Sequence, residues 1–332
     1  MTRFHSNGVA SNGTRIDLEH ICVCVCTYQR PKMLADLLDG LIEQKTHGQF
    51  SYSVVIVDND PLKSAKEVVQ NYISNRNILI EYHHKATKGL TYARNKSLQC
   101  ASGNYIAFID DDEKPVPDWL YHLYKTLNDY KADAAFGSVL PTFEVPPPEW
   151  ILNQKFFYWR DVRKGTGVDV GTAVTTNNAL VRRDLIVKYN LEFDHDFAFA
   201  GGEDQAFFFE LMDYKKDAKY ISCEKAVVHE LIPSNRCDPE YIRKRFLLEG
   251  SGRAFGIHKF TDTKRKRVIL TISQFFSSLT RTIIFSLLLF LFFSFNKDAS
   301  RKYYYKIFYH IGVLTAILNI SPYSDRKSIG LL

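Results

Sequence analysis

Sulfur is scarce in this sequence: six cysteines and three methionines in 332 residues. Three of the cysteines crowd into "CVCVC" (Cys22, Cys24, Cys26), and the spacing of the six does not resemble a disulfide framework, which points to a reducing setting. Strand alternation sets those three thiols on one face, where they read as small buried hydrophobes. A zinc site would need its ligands wrapped around a point. The opening "MTRFHSNGVASNGTRIDLEH" lacks the apolar run of a signal peptide, and residues 1–19 read as a mobile lead-in. No internal repeat is present. The glycine-rich "GTGVDVG" (165–171) lacks both the Walker lysine and the dinucleotide spacing, so neither nucleotide motif is indicated. A basic surface is also missing from most of the chain. The net charge is +6, but residues 262–332 hold eleven Lys and Arg against three Asp and Glu, leaving 32 against 34 for residues 1–261. No nucleic-acid partner is expected.

What is present is alternation. The apolar runs "ICVCVCT" (21–27), "SVVIVDND" (53–60), "ILIEYHH" (78–84) and "YIAFIDDD" (105–112) read as strands. Between them, "PKMLADLLDGLIEQ" (31–44) and "LTYARNKSLQCA" (90–101) read as helices. That order predicts an α/β fold with a parallel sheet flanked by helices. The length allows one large domain or two smaller ones, and 45% apolar with 24% charged residues is an ordinary globular mixture. Ligands of such sheets gather beyond the carboxyl ends of the strands, where Thr27, Asp58 and the aspartates at 110–112 fall.

Those aspartates raise a physical question. In "NYIAFIDDDEKPVPDW" an apolar strand ends in Asp110, Asp111, Asp112 and Glu113, four carboxylates that repel one another. A solvated acidic turn is one reading. The other is a hard divalent cation, since magnesium or manganese takes one or two carboxylates, several waters and phosphate oxygens. Farther on, "FEVPPPEW" (143–150) is a stiff proline segment, and the aromatics Phe156, Phe157, Tyr158 and Trp159 either line an acceptor groove or cap the core. In "DHDFAFAGGEDQAFFFELM", Gly201 and Gly202 make a turn, and Glu203 with Asp204 opens a helix whose dipole favours acids there.

Taken in order over about 20–255, "CTYQRP", "VVIVDND", "GLTYARNKSLQCASGNYIAFIDDDE" and "GGEDQAFFFEL" resemble the family-2 inverting glycosyltransferases of the GT-A fold. "PPPEW" and "VVHELIPSNRCDPEYIRKRFLLEGSGRA" further resemble the branch that assembles bacterial exopolysaccharide and lipopolysaccharide. The resemblance implies a Rossmann-like domain over 20–261, with a nucleotide-sugar half at about 20–140 and an acceptor half at about 141–261. It implies transfer of a sugar from a nucleotide sugar, UDP-linked, to a hydroxyl of a glycan, with Mg2+ or Mn2+.

The same resemblance assigns residues. Thr27 and Asp58 hold the uracil and ribose side, and Arg94 reaches the nucleotide. Asp110, Asp111 and Asp112 span the DxD motif, with Asp112 on the metal and Asp110 or Asp111 nearer the ribose. His229 is the later metal or diphosphate ligand, and Arg236 binds the diphosphate. Asp204 is the catalytic base, while Glu203, Trp150 and Asn178 complete the expected set on the acceptor side. An inverting transfer needs a single base opposite the leaving group, worth about 10²–10⁴-fold. Adjacent helical side chains diverge, so only one of Glu203 and Asp204 points at the acceptor. A sugar nucleotidyltransferase would want a glycine-rich loop after the first strand, and "CTYQRPK" has no glycine. A catalytically silent nucleotide-sugar-binding partner is the remaining alternative.

The tail differs in kind. "KRKRVILTISQFFSSLTRTIIFSLLLFLFFSF" (264–295) joins a basic cluster to an apolar stretch whose uninterrupted part, Thr282 to Phe295, is fourteen residues long. That is short of the ~20 a spanning helix needs. A second stretch, "YYYKIFYHIGVLTAILNI" (303–320), carries tyrosines suited to an interface belt. Buried helices, a shallow hairpin and one tilted span are the candidate arrangements. Phenylalanines and leucines on every face of 283–295 point to membrane attachment, and the basic flanks point to the cytoplasmic face of the anionic bacterial inner membrane. That location implies a lipid-linked acceptor. Residues 1–261, which hold every expected site residue, are expected to fold without 262–332.

Overall fold

A computed structural model describes residues 18–74, 78–157, 174–197, 202–259, 263–318 and 320. Most of the lead-in, the "GTGVDVG" stretch, Tyr158, Trp159 and Gly201 lie outside the described residues. The chain divides into two compact units, the first formed by 1–141, 158–198 and 203–231, the second by 142–157, 199–202 and 232–332.

The first unit is built on strands β1 (Glu19–Thr27), β2 (Phe50–Asp58), β3 (Leu79–His84) and β4 (Tyr105–Ile109), which pair in parallel in the order β3-β2-β1-β4. Helices α1 (Pro31–Ile42), α2 (Lys66–Ile73) and α3 (Leu90–Cys100) make the crossovers. Beyond β4 the sheet turns antiparallel. Strand β7 (Asn178–Arg182) runs against β4 and against β6 (Ala134–Phe143), and β8 (Tyr220–Ile232) pairs with the short β5 (Glu113–Pro115). Among the described residues the result is an eight-stranded mixed sheet, parallel from β3 to β4 and antiparallel beyond, with α4 (Trp119–Asp129), α6 (Arg183–Lys188) and α7 (Glu203–Tyr214) as further helices of this unit.

Alternation along β1 sorts the two cores. Ile21, Val23 and Val25 pack on one face with Leu34, Leu37 and Leu41 of α1 and Trp119, Leu120 and Leu123 of α4. Cys22 and Cys24 pack on the other with Phe108, Phe136, Phe207 and Phe208. The thiols are thus core hydrophobes, and none of the six cysteines forms a disulfide. Helix α1 starts where the sequence expects it, with Pro31 at its first position, where a missing N–H is of no consequence.

The second unit consists of α5 (Glu149–Gln154), α8 (Pro239–Lys259), α9 (Lys264–Phe292), α10 (Lys297–Ile317) and their connections. Helix α8, expected to belong with the catalytic domain, packs in this unit against α10. The approach is close: a Cβ on Gly250 would meet the Tyr309 carbonyl oxygen at 1.9 Å, and one on Gly312 the Leu247 oxygen at 2.0 Å. Tyr305 of α10 joins Ile151, Phe157, Ile232 and Ile242 in a third buried cluster, with Trp150, Phe156 and Phe246 against it.

Candidate active site

The polar strand ends converge because of register. Thr27 stands beside Asp58 in the β1–β2 ladder, and the β1–β4 ladder carries Thr27 toward Asp111. Thr27 Oγ1 donates to Asp111 Oδ2 at 2.7 Å. After Ile109 the aspartates form a turn: Glu113 N donates to the Asp110 carbonyl at 3.2 Å, and Glu113 Oε2 accepts from Asp110 N at 3.0 Å. Two guanidiniums hold this acidic turn in place. Arg30 Nη1 reaches Asp111 Oδ1 at 3.0 Å and Asp112 Oδ2 at 3.1 Å. Buried Arg94 of α3 bonds Glu203 Oε1 at 2.9 Å and Asp204 Oδ1 at 3.1 Å, and lies 3.6 Å from Asp110 Oδ1. Arg94 thereby joins the strand-end acids to the first turn of α7.

Electrostatics divide the acids into roles. Loss of hydration pushes the Glu203 carboxyl up to about 7, with neighbouring Asp204 adding to the push and Arg94 opposing it. Burial acts on Asp204 in the same direction, but Arg94, Glu203 and the Thr176 N–H, 3.3 Å from its Oδ2, hold it below the ordinary carboxylate value. Asp204 is therefore the more acidic member of the pair, and a proton shared between them favours Glu203. Asp110 is pushed up to about 7 by desolvation, against Arg94 and with Asp112, Asp204 and Asp111, although water moderates the push because its side chain is 43% exposed. Buried Glu113 is raised well above its usual value, by desolvation first and then by Asp110.

The donor set suits a hard divalent cation. Its strand-end members are hard carboxylate oxygens. Buried Glu113 Oε1 has no hydrogen-bond partner among the described residues, and a guanidinium bridges Asp111 and Asp112 where a cation would also be stabilised. His229 of β8 sits opposite Lys114, while Leu231 N donates to the Asp112 carbonyl at 2.8 Å. Alternation then puts Asp112 and His229 on the same face of this ribbon as diagonal neighbours. Among the described residues no three His, Cys, Asp or Glu side chains already converge as a cation cage. Magnesium and manganese sites of this class draw their remaining ligands from water and a phosphate group.

Two of the expected residues are held by structural partners. Asp58 is fully buried, with Oδ1 accepting from Asp60 N and Oδ2 from Ala65 N and the Tyr82 hydroxyl. It pins the loop after β2 and shows no surface to a ligand. Asn178 is also fully buried. Its Oδ1 accepts from Trp119 Nε1 at 2.8 Å and its Nδ2 donates to the Ser138 and Ala226 carbonyls, so the expected acceptor contact is replaced by a structural one. Trp150 stacks on Tyr305 in the second unit's aromatic cluster, with Arg301 over its ring. Arg236 belongs to the second unit too, in the turn Ser234–Cys237. Arg30 escaped the sequence reading. Its only signal is position: the first cation after β1, reached through Gln29 at φ 56°.

Parallel strands whose ends gather acids beside a buried arginine and a helix-borne acid pair define a nucleotide-site α/β protein. Comparison places it more narrowly. Residues 22–189 match the sequence profile of glycosyl transferase family 2. The succinoglycan biosynthesis protein ExoM of Rhizobium meliloti is 32% identical over 232 residues, covering 70% of this chain and 73% of that one. A glucosyl-dolichyl phosphate glucuronosyltransferase of Haloferax volcanii is 27% identical over 142 residues, 42% of this chain and 44% of the relative. Among solved structures, the mannosyltransferase PcManGT of Pyrobaculum calidifontis in complex with GDP-Man and Mn2+ matches with TM-score 0.61 at 16% identity, over 91% of this chain and 87% of that one. S. aureus TarS 1-349 in complex with UDP-GlcNAc matches with TM-score 0.54 at 15% identity, over 90% and 92%. The chain belongs to glycosyl transferase family 2 and has a GT-A-like fold.

Proposed function

We propose that the chain transfers a sugar, with inversion, from a UDP-sugar to a hydroxyl of a lipid-linked glycan in surface polysaccharide synthesis. The observation that carries this reading is the Arg94 bridge, which sets the more acidic Asp204 next to the strand-end acids expected to face the donor. In the transfer, Asp204 takes the proton of the acceptor hydroxyl as the acceptor oxygen bonds to the anomeric carbon. The bond from that carbon to the diphosphate breaks, and the nucleoside diphosphate leaves with the electron pair. A bound Mg2+ or Mn2+, held by Asp112 with His229, would offset the charge of the diphosphate. Asp110 and Asp111, set by Arg94, Arg30 and Thr27, face the ribose side, and Arg236 is the proposed diphosphate arginine. Glu203 keeps its proton and holds Asp204 by hydrogen bonding, so the pair acts as one base.

Two similar proteins support this assignment: ExoM is a succinoglycan biosynthesis protein, and TarS was solved with UDP-GlcNAc. The proposed domain plan keeps the donor half at about 20–140. The proposed location is the cytoplasmic face of the inner membrane, with attachment through the tail. Helix α9 is long and apolar enough to cross a membrane by length and composition. A screen of nucleotide sugars against membrane extract, with the product's anomeric configuration read by NMR, tests the reading. UDP release with an inverted product supports it, and a retained configuration overturns it.

A further inference from the structure

Helix α9 carries an apolar face on the wrong side for water. The residues it turns toward the rest of its unit are mixed: Thr271, Gln274, Ser278 and Thr282 are polar, while Phe275, Phe285, Leu288 and Phe292 are apolar. Ser278 is buried, its hydroxyl 3.3 Å from Nδ1 of buried His310 on α10. The opposite side is apolar and open, with Ile272, Phe276, Ile283, Leu287 and Phe290 between 51% and 85% exposed. A surface helix of a water-soluble protein shows the reverse arrangement. An outward face of this kind suits an apolar medium.

The ends of α9 fix how it meets that medium. At one end stand Lys264, Arg265, Lys266 and Arg267, and just past the other stand Lys297, Arg301 and Lys302. Headgroup-seeking cations thus flank both ends alike. The turn after α9 is also tied to protein: Asn153 and Gln154 of α5 donate to the Asp298 carboxylate and carbonyl. Running beside α10, α8 carries the ion pairs Arg243–Glu240, Lys244–Glu240 and Arg245–Glu249, which do not belong in acyl chains. If α9 crossed the bilayer, α5 and this charged helix would have to cross with it. Arg281, three residues from inward Ser278, would also sit near the bilayer centre. On the flank of an in-plane helix it reaches the headgroups instead.

We propose that α9 lies in the plane of the membrane, its Ile, Phe and Leu face sunk into the acyl boundary of one anionic leaflet and both ends at the headgroups. This deepens the attachment proposed above and rests on it. The arrangement matches interfacial helices, whose apolar face is buried ≈ 5–10 Å below the headgroups.

The test uses the full chain in sealed vesicles with the cytoplasmic face outward. Lys264→Cys and Lys297→Cys are each treated with a membrane-impermeant maleimide, and modification is read peptide by peptide so that the native cysteines do not interfere. Equal labelling of both positions from the outside is expected. Labelling of one only after the vesicles are opened means a span and overturns the in-plane geometry. In parallel, purified protein is floated with phosphatidylcholine vesicles with and without phosphatidylglycerol. Phe276→Asp and Leu287→Asp should each cut the floated fraction at least tenfold with circular dichroism unchanged. Wild type that fails to float in either lipid overturns attachment itself, as distinct from its geometry. Wild type that does not float but sediments as a dimer assigns the apolar face to a second copy and overturns the lipid assignment.

Discussion

Arg94 holds two acids whose proton affinities are driven apart, and each acid predicts a different experiment. Asp204→Asn keeps the shape and the Arg94 contact but removes proton acceptance. Donor binding by calorimetry should persist while turnover falls by about 10²–10⁴-fold. Glu203 speaks through stability. Its folded pKa of about 7 lies above the ordinary 4.5, so between those values the folded state holds a proton that the unfolded state releases. Stability therefore falls as pH climbs from about 4.5 to about 7. Glu203→Gln should flatten that slope in thermal melts, and an unchanged slope would place the proton elsewhere. Arg30 acts on the other acids. Arg30→Met leaves Asp111 and Asp112 without their guanidinium, at roughly 2 kcal/mol, below the ~3–5 of a fully buried pair because this arginine is partly solvated. Mn2+ binding without nucleotide should tighten several-fold in the same variant. The acids were legible because no fold gains by gathering four carboxylates. Arg30 was not, since a loop arginine reads as solvated until its partners are placed.

At the scale of elements, period-2 runs ending in polar residues revealed β1 to β4, and the structure sets each within a few residues of its expected bounds. The antiparallel half was less visible. Strand β5 has three residues, too few for a pattern, whereas β7 lies inside "GTAVTTNNALVRR" (171–183), which reads as strand-like. The part Asn178 plays there is harder to read. A polar residue in a strand-like run looks like a ligand contact, yet its amide closes the Trp119 indole and two carbonyls between neighbouring elements. Asn178→Ala should cost about 3 kcal/mol by leaving buried groups unpaired. The urea midpoint should drop, while affinity for UDP measured below the transition stays within about twofold. A large affinity loss with an unchanged midpoint would return Asn178 to the site.

For the whole molecule, the expected boundary at 261 cuts through packed side chains. Thr27, Asp58, Arg94, Asp110, Asp111, Asp112, Asp204 and His229 lie in the first unit, while the expectation that 1–261 folds alone rests on its holding every expected site residue at 32 Lys and Arg against 34 Asp and Glu. Removing 262–332, however, strips Tyr305 from Trp150, Phe156 and Phe246, and bares the face of α8 that Gly250 holds against α10. Baring an aromatic cluster and a helix face of that kind favours aggregation. The truncated chain should therefore need detergent to stay in solution, even where it still binds UDP. The better route to a soluble enzyme keeps every helix and changes only the outward face of α9. Phe276→Ser, Leu287→Ser and Phe290→Ser together alter residues 60%, 65% and 85% exposed, so their cost to the fold should be small. That variant should leave membranes, remain monomeric in gel filtration and transfer sugar to a water-soluble acceptor analogue at near wild-type turnover. Transfer to the membrane-borne acceptor should fall sharply, because anchoring turns a search through bulk into a search on a surface. If the triple variant instead aggregates while 1–261 stays soluble, the outer face of α9 is packing surface, and the tail is a separable domain after all.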